Sequence, residues 1–409
     1  MRKVLLGLAS GFAAGYLAAR AYEAFDELRH PKPPHRESAA SYGRTRRALE
    51  VADTLHGICG ALVVAYGSIG ERADRATLGA PAWLRPALFV VPLSLCAAVL
   101  ELPAIFIQDH TLERRYGLTD QPRDEWLADY AKGALVSTAI TTIGAMLLGT
   151  AVRRAPRSWP LVASLGALPL FIIGNLIVPV YLLPMFNRFE PMEGTLERRL
   201  RALAARYGVG DAEILKMDMS RQTRKANAFV VGVGRTHRIV LGDTLVDRFP
   251  DEETEFVVAH ELGHYVAKDV WRLIALGELL AAALFFIANA VGGPRSGMRD
   301  RPIVLARLYA AMLVATQLLR PLLFAFTRSR EVAADRFALE ATHEPRAGVS
   351  AFRRLRDQNL AEDELPRWYE LFFSSHPSLK SRIDALQAEV TSEEATDDSP
   401  TTMRDPSSA

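Results

Sequence analysis

Apolar residues along this chain are gathered into long runs separated by charged stretches. Strong runs cover 87–107, 133–152 and 161–183, each long enough to approach or cross a hydrocarbon core of about 30 Å. Two weaker runs precede them, 4–19 behind Met1-Arg2-Lys3 and 55–69. Two more come late, 273–291 and 303–326. The late pair holds Glu278, Asn289, Arg307, Gln317 and Arg320, too polar for lipid on every side, so these residues should face a protein interior or a water-filled cavity. Two buried helices of a soluble domain would read similarly, but the short loop between them and their length favour a membrane hairpin. The count is seven spans. The first resembles a signal peptide, yet it runs straight into Arg20, Tyr22 and Glu27-Leu28-Arg29 with no cleavage region, so an uncleaved anchor is expected.

Between the fifth and sixth runs the pattern changes. Leu196, Leu200, Leu203 and Tyr207 recur at helical spacing and stop at Gly208-Val209-Gly210. Residues 214–218, 228–231 and 238–241 read as short strands, the last two joined as a hairpin through Gly232, Gly234 and Thr236. Pro250 and the acids Asp251, Glu252 and Glu253 then open another helix, acids favouring its positive end. After the last span a helical segment runs to about 360. From Thr391 the chain is mostly Ser, Thr, Asp, Glu and Pro, a composition expected to be disordered. The fold class is therefore a mainly α, polytopic membrane protein with a small α+β unit. Its divisions are a membrane region at 1–184 with about five spans, a polar region at 185–270, a transmembrane hairpin at 271–326, a second polar part at 327–390 and a tail at 391–409.

Composition narrows the partners. Net charge is +2, which gives no bulk electrostatic case for nucleic acid; the lipid bilayer is the evident partner. The 2 cysteines, Cys59 and Cys96, both lie in apolar runs, which excludes a disulfide framework and a Cys-based zinc site. Arg44, Arg46 and Arg47 before the second span, with Arg114, Arg115 and Lys132 between the third and fourth, suit the cytoplasmic side. Lys3, Arg153, Arg154 and Arg157 argue the other way, so the charge rule only leans towards a cytoplasmic C-terminus.

Candidate chemistry is concentrated in His260-Glu261-Leu262-Gly263-His264. Residues four apart on a helix share a face, so His260 and His264 can offer two imidazole nitrogens to one metal ion. Glu261 is placed to take a proton from water at that metal. A catalytic zinc usually keeps three protein ligands, and with no suitable Cys the third must be His, Asp or Glu. Glu331 is the best candidate, because the membrane hairpin that opens after His264 returns to it. Asp335, four residues on, can accept the free N–H of a ligand histidine. Taken alone, Glu331 and Asp335 would read first as a solvated helix face paired with Arg328, Arg330 or Arg336; beside the His-Glu-x-x-His motif the metal-site reading leads.

Further pieces carry a resemblance. Tyr42-x-x-x-Arg46, the stretch Leu182-Leu183-Pro184-Met185-Phe186-Asn187-Arg188-Phe189, and Asn227-Ala228-Phe229 with Gly232, Gly234 and Arg238-Ile239-Val240-Leu241 precede the His-Glu-x-x-His helix. Arg328-x-x-Glu331-x-x-Ala334-Asp335 and His376-Pro377 follow it. In that order, from about 40 to 390, the set resembles the M48 family of zinc metallopeptidases, in its Ste24-type, CAAX prenyl protease 1-like membrane group. The resemblance implies about seven transmembrane helices around a large chamber, closed on the cytoplasmic side by a gluzincin-type zinc domain. It implies one Zn2+ per chain on His260, His264 and Glu331, with Glu261 catalytic. It carries His376 and Arg382 over as residues acting near the transition state or as support, and Asn227 and Ala228 as the substrate-aligning strand. The sequence departs from the family in Thr327, where many members have Ser, and in Ser378, where a second Pro is common; neither removes a ligand.

The expected activity is zinc-dependent hydrolysis of peptide bonds in extended peptide or membrane-protein substrates, in CAAX-type processing or membrane-protein quality control. An intramembrane protease would need an apolar zinc helix, whereas Asp251, Glu252, Glu253, Glu255 and Lys268 flank this motif. A membrane scaffold or transporter with a vestigial zinc motif is the rival from another class. Oligomeric state is left open, a monomer being compatible with everything above.

Overall fold

A computed structural model describes residues 2–32, 39–232, 237–294 and 297–397. Helices α1 (Arg2–Arg29), α2 (Ala39–Tyr66), α3 (Ser68–Ala76), α4 (Arg85–Phe106) and α5 (Leu112–Arg115) come first. A π-helical turn, Ile107–Thr111, joins α4 to α5. Next are α6 (Arg123–Arg154), α7 (Trp159–Ile177) and a second π turn, Val178–Leu182. Strand β1 (Phe189–Pro191), α8 (Thr195–Arg206), β2 (Glu213–Met217), β3 (Ala228–Val231) and β4 (Arg238–Gly242) form the polar region with α9 (Asp243–Val246) and α10 (Asp251–Val266). The chain closes with α11 (Asp269–Gly292), α12 (Ile303–Thr342), α13 (Pro345–Asn359), α14 (Arg367–Phe373) and α15 (Leu379–Asp397).

All seven expected spans are helices long and apolar enough to cross a membrane. They touch in the order α1–α2–α12–α11–α7–α6–α4 and back to α1, which closes a ring. Large apolar residues such as Leu279, Phe286, Leu318 and Leu322 stay exposed on them, as lipid-facing positions must. Most polar residues inside the late spans find protein partners instead, although Glu278 Oε2 is buried with no hydrogen-bond partner among the described residues. Asn289 Oδ1 accepts from Trp159 Nε1 at 2.9 Å, Arg307 Nε donates to the Ala65 carbonyl at 3.3 Å, and Arg320 donates to Gln317 Oε1 at 2.9 Å. Tyr16 of α1 bonds to Asp53 of α2, and His56 of α2 lies 3.8 Å from Glu101 of α4.

The sheet order is β1-β2-β4-β3, with β1 antiparallel to β2, β2 parallel to β4, and β3 antiparallel to β4. The expected hairpin is present, Ala228 opposite Leu241 and Val231 opposite Arg238; Gly234 and Thr236 of its turn lie outside the described residues. β3 is an edge strand. One sheet face packs on α8, α10, α13 and α15 in the main core, through Leu203, Ile239, Phe256, Phe352 and Leu386.

Three expectations are corrected. β1 was not expected: it is three residues long and ends in Pro191, so it offers no alternation to read. The helical segment expected to about 360 is present but divided, because α12 runs unbroken from Ile303 to Thr342, turns at His343, whose φ is 54°, and α13 continues to Asn359. The tail does not start at Thr391, since α15 continues to Asp397. Val390 anchors it in the core and Glu394 pairs with Arg346 at 2.7 Å. Residues 398–409 lie outside the described residues.

Candidate metal centre

Two helices build the centre. Helix α10 carries His260 and His264 one turn apart. At Lys268, φ 55°, the chain reverses into α11, crosses the ring, and returns along α12 to Glu331. α10 and α12 approach closely where Gly263 meets Ala334: a Cβ on Gly263 would lie 3.1 Å from the Ala334 Cα. That contact brings the three side chains together. His260 Nε2 lies 3.4 Å from Glu331 Oε2, and His264 Nε2 lies 3.3 Å from Glu331 Oε1. One ligand atom from each falls within 4.8 Å of the others.

Both histidines have their other nitrogen fixed by a carboxylate. Asp335 Oδ1 is 2.8 Å from His260 Nδ1. Asp269 Oδ2 is 3.0 Å from His264 Nδ1. Each arrangement turns Nε2 towards Glu331 and raises the basicity of the ring. The carboxylates are themselves held: Arg382 forks onto Asp335 at 2.6 and 2.8 Å, and Arg330 Nε donates to Asp269 Oδ1 at 2.7 Å. Asp269 is 3% exposed. Its position five residues past His264, opening the next helix, is the only sequence signal for it, and that signal is weak.

Electrostatics agree with a cation site. Burial opposes charge on His260, yet its hydrogen bonds with Asp335 and then Glu331 outweigh burial and raise its pKa to about 9. His264 is raised in the same way, with burial opposed chiefly by Glu331. The surrounding carboxylates thus favour positive charge at this pair of rings. Glu331 Oε2 is buried and makes no well-formed hydrogen bond among the described residues; His260 Nε2 at 3.4 Å and Arg382 at 3.6 Å are charged or polar neighbours that sit too far or too obliquely to satisfy it fully. Two imidazoles and a carboxylate are the donor set of a catalytic zinc site with one position left over, so these residues fit such an ion.

A cavity of about 460 Å³ opens beside the centre. Its wall includes Glu261, Glu331, His376 and Arg382. Burial, only partly offset by His260 and His264, raises the Glu261 carboxyl above its ordinary value. His376 comes from the loop before α15; its Nδ1 is 2.8 Å from Ser375 Oγ and its Nε2 3.5 Å from Glu331 Oε1. Arg382 reaches Asp335 and lies 3.6 Å from Glu331, with its guanidinium 4.2 Å over the Phe352 ring. Asn227 and Ala228 line the same cavity at the start of the edge strand. Asn359 clamps the preceding residue, accepting from the Ala226 N–H at 2.8 Å and donating to its carbonyl at 3.2 Å. Lys225, one residue earlier, ties this segment to the ring, 2.7 Å from Glu113 and 2.9 Å from the Tyr42 hydroxyl. Of the sequence-nominated residues, Asn227, Ala228, His260, Glu261, Glu331, His376 and Arg382 line this one cavity; His264 and Asp335 do not line it but contact Glu331 and His260, and Asp269, which was not nominated, contacts His264.

Residues 191–390 match the sequence model of peptidase family M48, and residues 30–188 match that of the CAAX prenyl protease N-terminal region, five membrane helices. An uncharacterized metalloprotease of Bacillus subtilis, YhfN, is 29% identical over 323 residues, 76% of this chain and 75% of its own length. CAAX prenyl protease 1 of Saccharomyces cerevisiae is 25% identical over 322 residues, 73% of this chain and 71% of its own. The crystal structure of S. mikatae Ste24p superposes with a TM-score of 0.71 at 20% identity, covering 93% of this chain and 98% of that one, a likeness of fold.

Proposed function

The chain belongs to peptidase family M48 and is a multi-pass membrane metalloprotease; from that premise we propose that it is a zinc endopeptidase acting on extended peptide segments, with one Zn2+ per chain on His260, His264 and Glu331. The observation that carries this reading is the convergence of those three side chains beside a cavity shared by Glu261 and the edge strand β3. When bound, zinc supplies Lewis acidity, polarising the scissile carbonyl and making water acidic enough to lose a proton near neutral pH. Glu261 takes that proton and passes it to the leaving amine; its raised carboxyl pKa suits a group that must both accept and return a proton. His376 offers Nε2–H to the developing oxyanion, and Arg382 positions His260 through Asp335. Asp335 acts through His260, as Asp269 does through His264.

The substrate lies beside Asn227 and Ala228, adding a strand to β3, which recognises main chain and tolerates varied sequence. The name CAAX prenyl protease 1 borne by the yeast relative makes CAAX-type processing one candidate task; cleavage of membrane-protein segments in quality control is the other. The basic residues Arg44, Arg46, Arg47, Arg114 and Arg115 support placing the metal domain on the cytoplasmic side, which one-sided labelling of a cysteine introduced at Arg346 tests.

Glu261→Gln is the decisive variant. Peptide cleavage is expected to fall by about 10²–10⁴-fold while zinc stays near one equivalent per chain. A metal-loaded Glu261→Gln protein cleaving at the wild-type rate overturns the mechanism. The same variant, expressed in the source cell, is the trap from which bound substrate peptides are identified.

A further inference from the structure

Strand β3 presents two faces. Ala228 and Val230 turn onto the core that supports α10, and Ala228 also reaches the catalytic cavity. Phe229 and Val231, one step out of phase, turn the other way. There they line a separate cleft of about 340 Å³ against the end of α7. Gly174, Val178, Pro179 and Leu183 form its opposite wall. The cleft is apolar apart from Asn175, whose side-chain N–H is spent on the Phe171 carbonyl at 2.9 Å.

Two independent features leave this space open. The helix widens into a π turn over Val178–Leu182, beginning beside Pro179, which has no N–H to donate. One turn earlier, on the same face as Val178, stands a glycine. A Cβ added to Gly174 would meet nothing within 4 Å among the described residues. A side chain there would point into the cleft without disturbing the fold.

We propose that this cleft is a specificity subsite, taking a large apolar side chain of the substrate at the residue opposite Phe229 or Val231. The inference rests on the reading that substrate adds a strand beside β3. Residues directly opposite one another across a strand pair share a face. A substrate strand therefore sends alternate side chains to the zinc-helix side and to the cleft. The same strand lines both spaces, so a peptide extending from the catalytic cavity along β3 reaches the cleft. The enzyme selects an apolar residue at one fixed distance from the cleaved bond, with broad tolerance at the neighbouring positions.

Peptides carrying Gly, Leu or Phe at each of the three positions on either side of the scissile bond test this. They are compared on wild type and on Gly174→Ala, Gly174→Leu and Gly174→Trp. One position is expected to favour Leu or Phe over Gly by about tenfold or more in kcat/KM, and that ratio should fall stepwise towards one as the side chain at 174 grows. Should the Trp variant fail to fold, the Ala and Leu steps carry the same trend. A ratio near one at every position, or a ratio unchanged along the series in zinc-loaded protein, overturns the subsite. N-methylation of the substrate amides separates the two readings. If methylation near the scissile bond leaves cleavage unchanged, strand addition itself falls and the subsite with it. If methylation blocks cleavage while the Gly174 series behaves as wild type, the subsite alone falls.

Discussion

In the metal domain one continuous core runs from Leu200 and Leu203 of α8 through Phe256, Val258 and Leu262 of α10 to Phe352 and Leu386. In the ring, buried apolar residues form small separate clusters, one around Trp159 and another around Phe106. The contrast follows from solvent. In water each buried apolar side chain contributes about 1.5–3 kcal/mol, so the polar domain gathers most of its own into one mass, with a second small cluster around Val240 on the other sheet face. Against lipid tails the same burial gains little, and helices are instead joined by close packing and hydrogen bonds. The ring's distinctive joints are accordingly polar. Asp74, fully buried on α3, pairs with Arg301 and accepts the Ile303 N–H at 3.0 Å at the start of α12. Helix α12 passes through both regimes, exposing Leu318 and Leu322 in the ring and carrying the candidate metal ligand Glu331 in the polar domain.

Removing the metal breaks this comparison most sharply. Chelation, or Glu331→Ala, is expected to abolish cleavage and to lower the thermal midpoint of the metal domain, since an ion at 1,000 times its Kd stabilises by about 4 kcal/mol. The ring holds no ligand except through α12 and should keep its helical signal. Far-UV circular dichroism and tryptophan fluorescence during a chelator titration check this. Concerted loss of all helical signal would show that the two regions fold as one unit.

Asp269→Asn comes next. Its side chain keeps the size but loses the charge that holds His264 Nδ1 and faces Arg330 and Arg272. Zinc affinity is expected to fall by about 10–100-fold, read by competition with a chromophoric chelator. An unchanged affinity would reduce Asp269 to a structural counter-ion for the two arginines.

The two regions also differ in how much of them the sequence reveals. The spans are legible because crossing lipid demands length, and 161–183 can hardly be anything else. Their order around the ring is not legible, since helices apolar on every side carry no periodicity to say which faces meet. Glu331 could be nominated because the hairpin must bring it back to His264. Asp269 could not, because its aim at His264 depends on the left-handed turn at Lys268, which no local rule demands of a lysine. Gly263 is similar. It reads as a motif filler, and only the approach of Ala334 shows that the position must lack a side chain.

Paired glycine substitutions turn that last point into a measurement. Gly263→Ala puts a Cβ 3.1 Å from both the Ala334 Cα and the Phe337 ring, an overpacking expected to cost about 1–3 kcal/mol and to weaken zinc by separating α10 from α12. Gly166→Ala, on α7 with nothing within 4 Å of the new Cβ among the described residues, should be neutral or gain roughly 0.5–1 kcal/mol from helix propensity. Thermal midpoints in the same detergent compare them. A destabilising Gly166→Ala would mean that another surface, from a second copy or a bound lipid, packs on that face.

The smallest effect expected is at Arg346. Its pair with Glu394 has the same 2.7 Å spacing as the Arg330–Asp269 pair, yet the side chains are 71% and 55% exposed against 21% and 4%. Exposed pairs are screened by water and salt and lose side-chain entropy in forming, so Arg346→Gln should change stability by less than about 1 kcal/mol. Asp269 is different. Its carboxylate is cut off from water, and its arginines offset the loss of solvation. Hydrogen exchange over 391–397 gives the sharper reading. If Arg346→Gln leaves protection there intact, the end of α15 is held by Val390 in the core and by its own backbone; if protection is lost, one exposed ion pair is what keeps seven residues, six of them acidic or polar, helical.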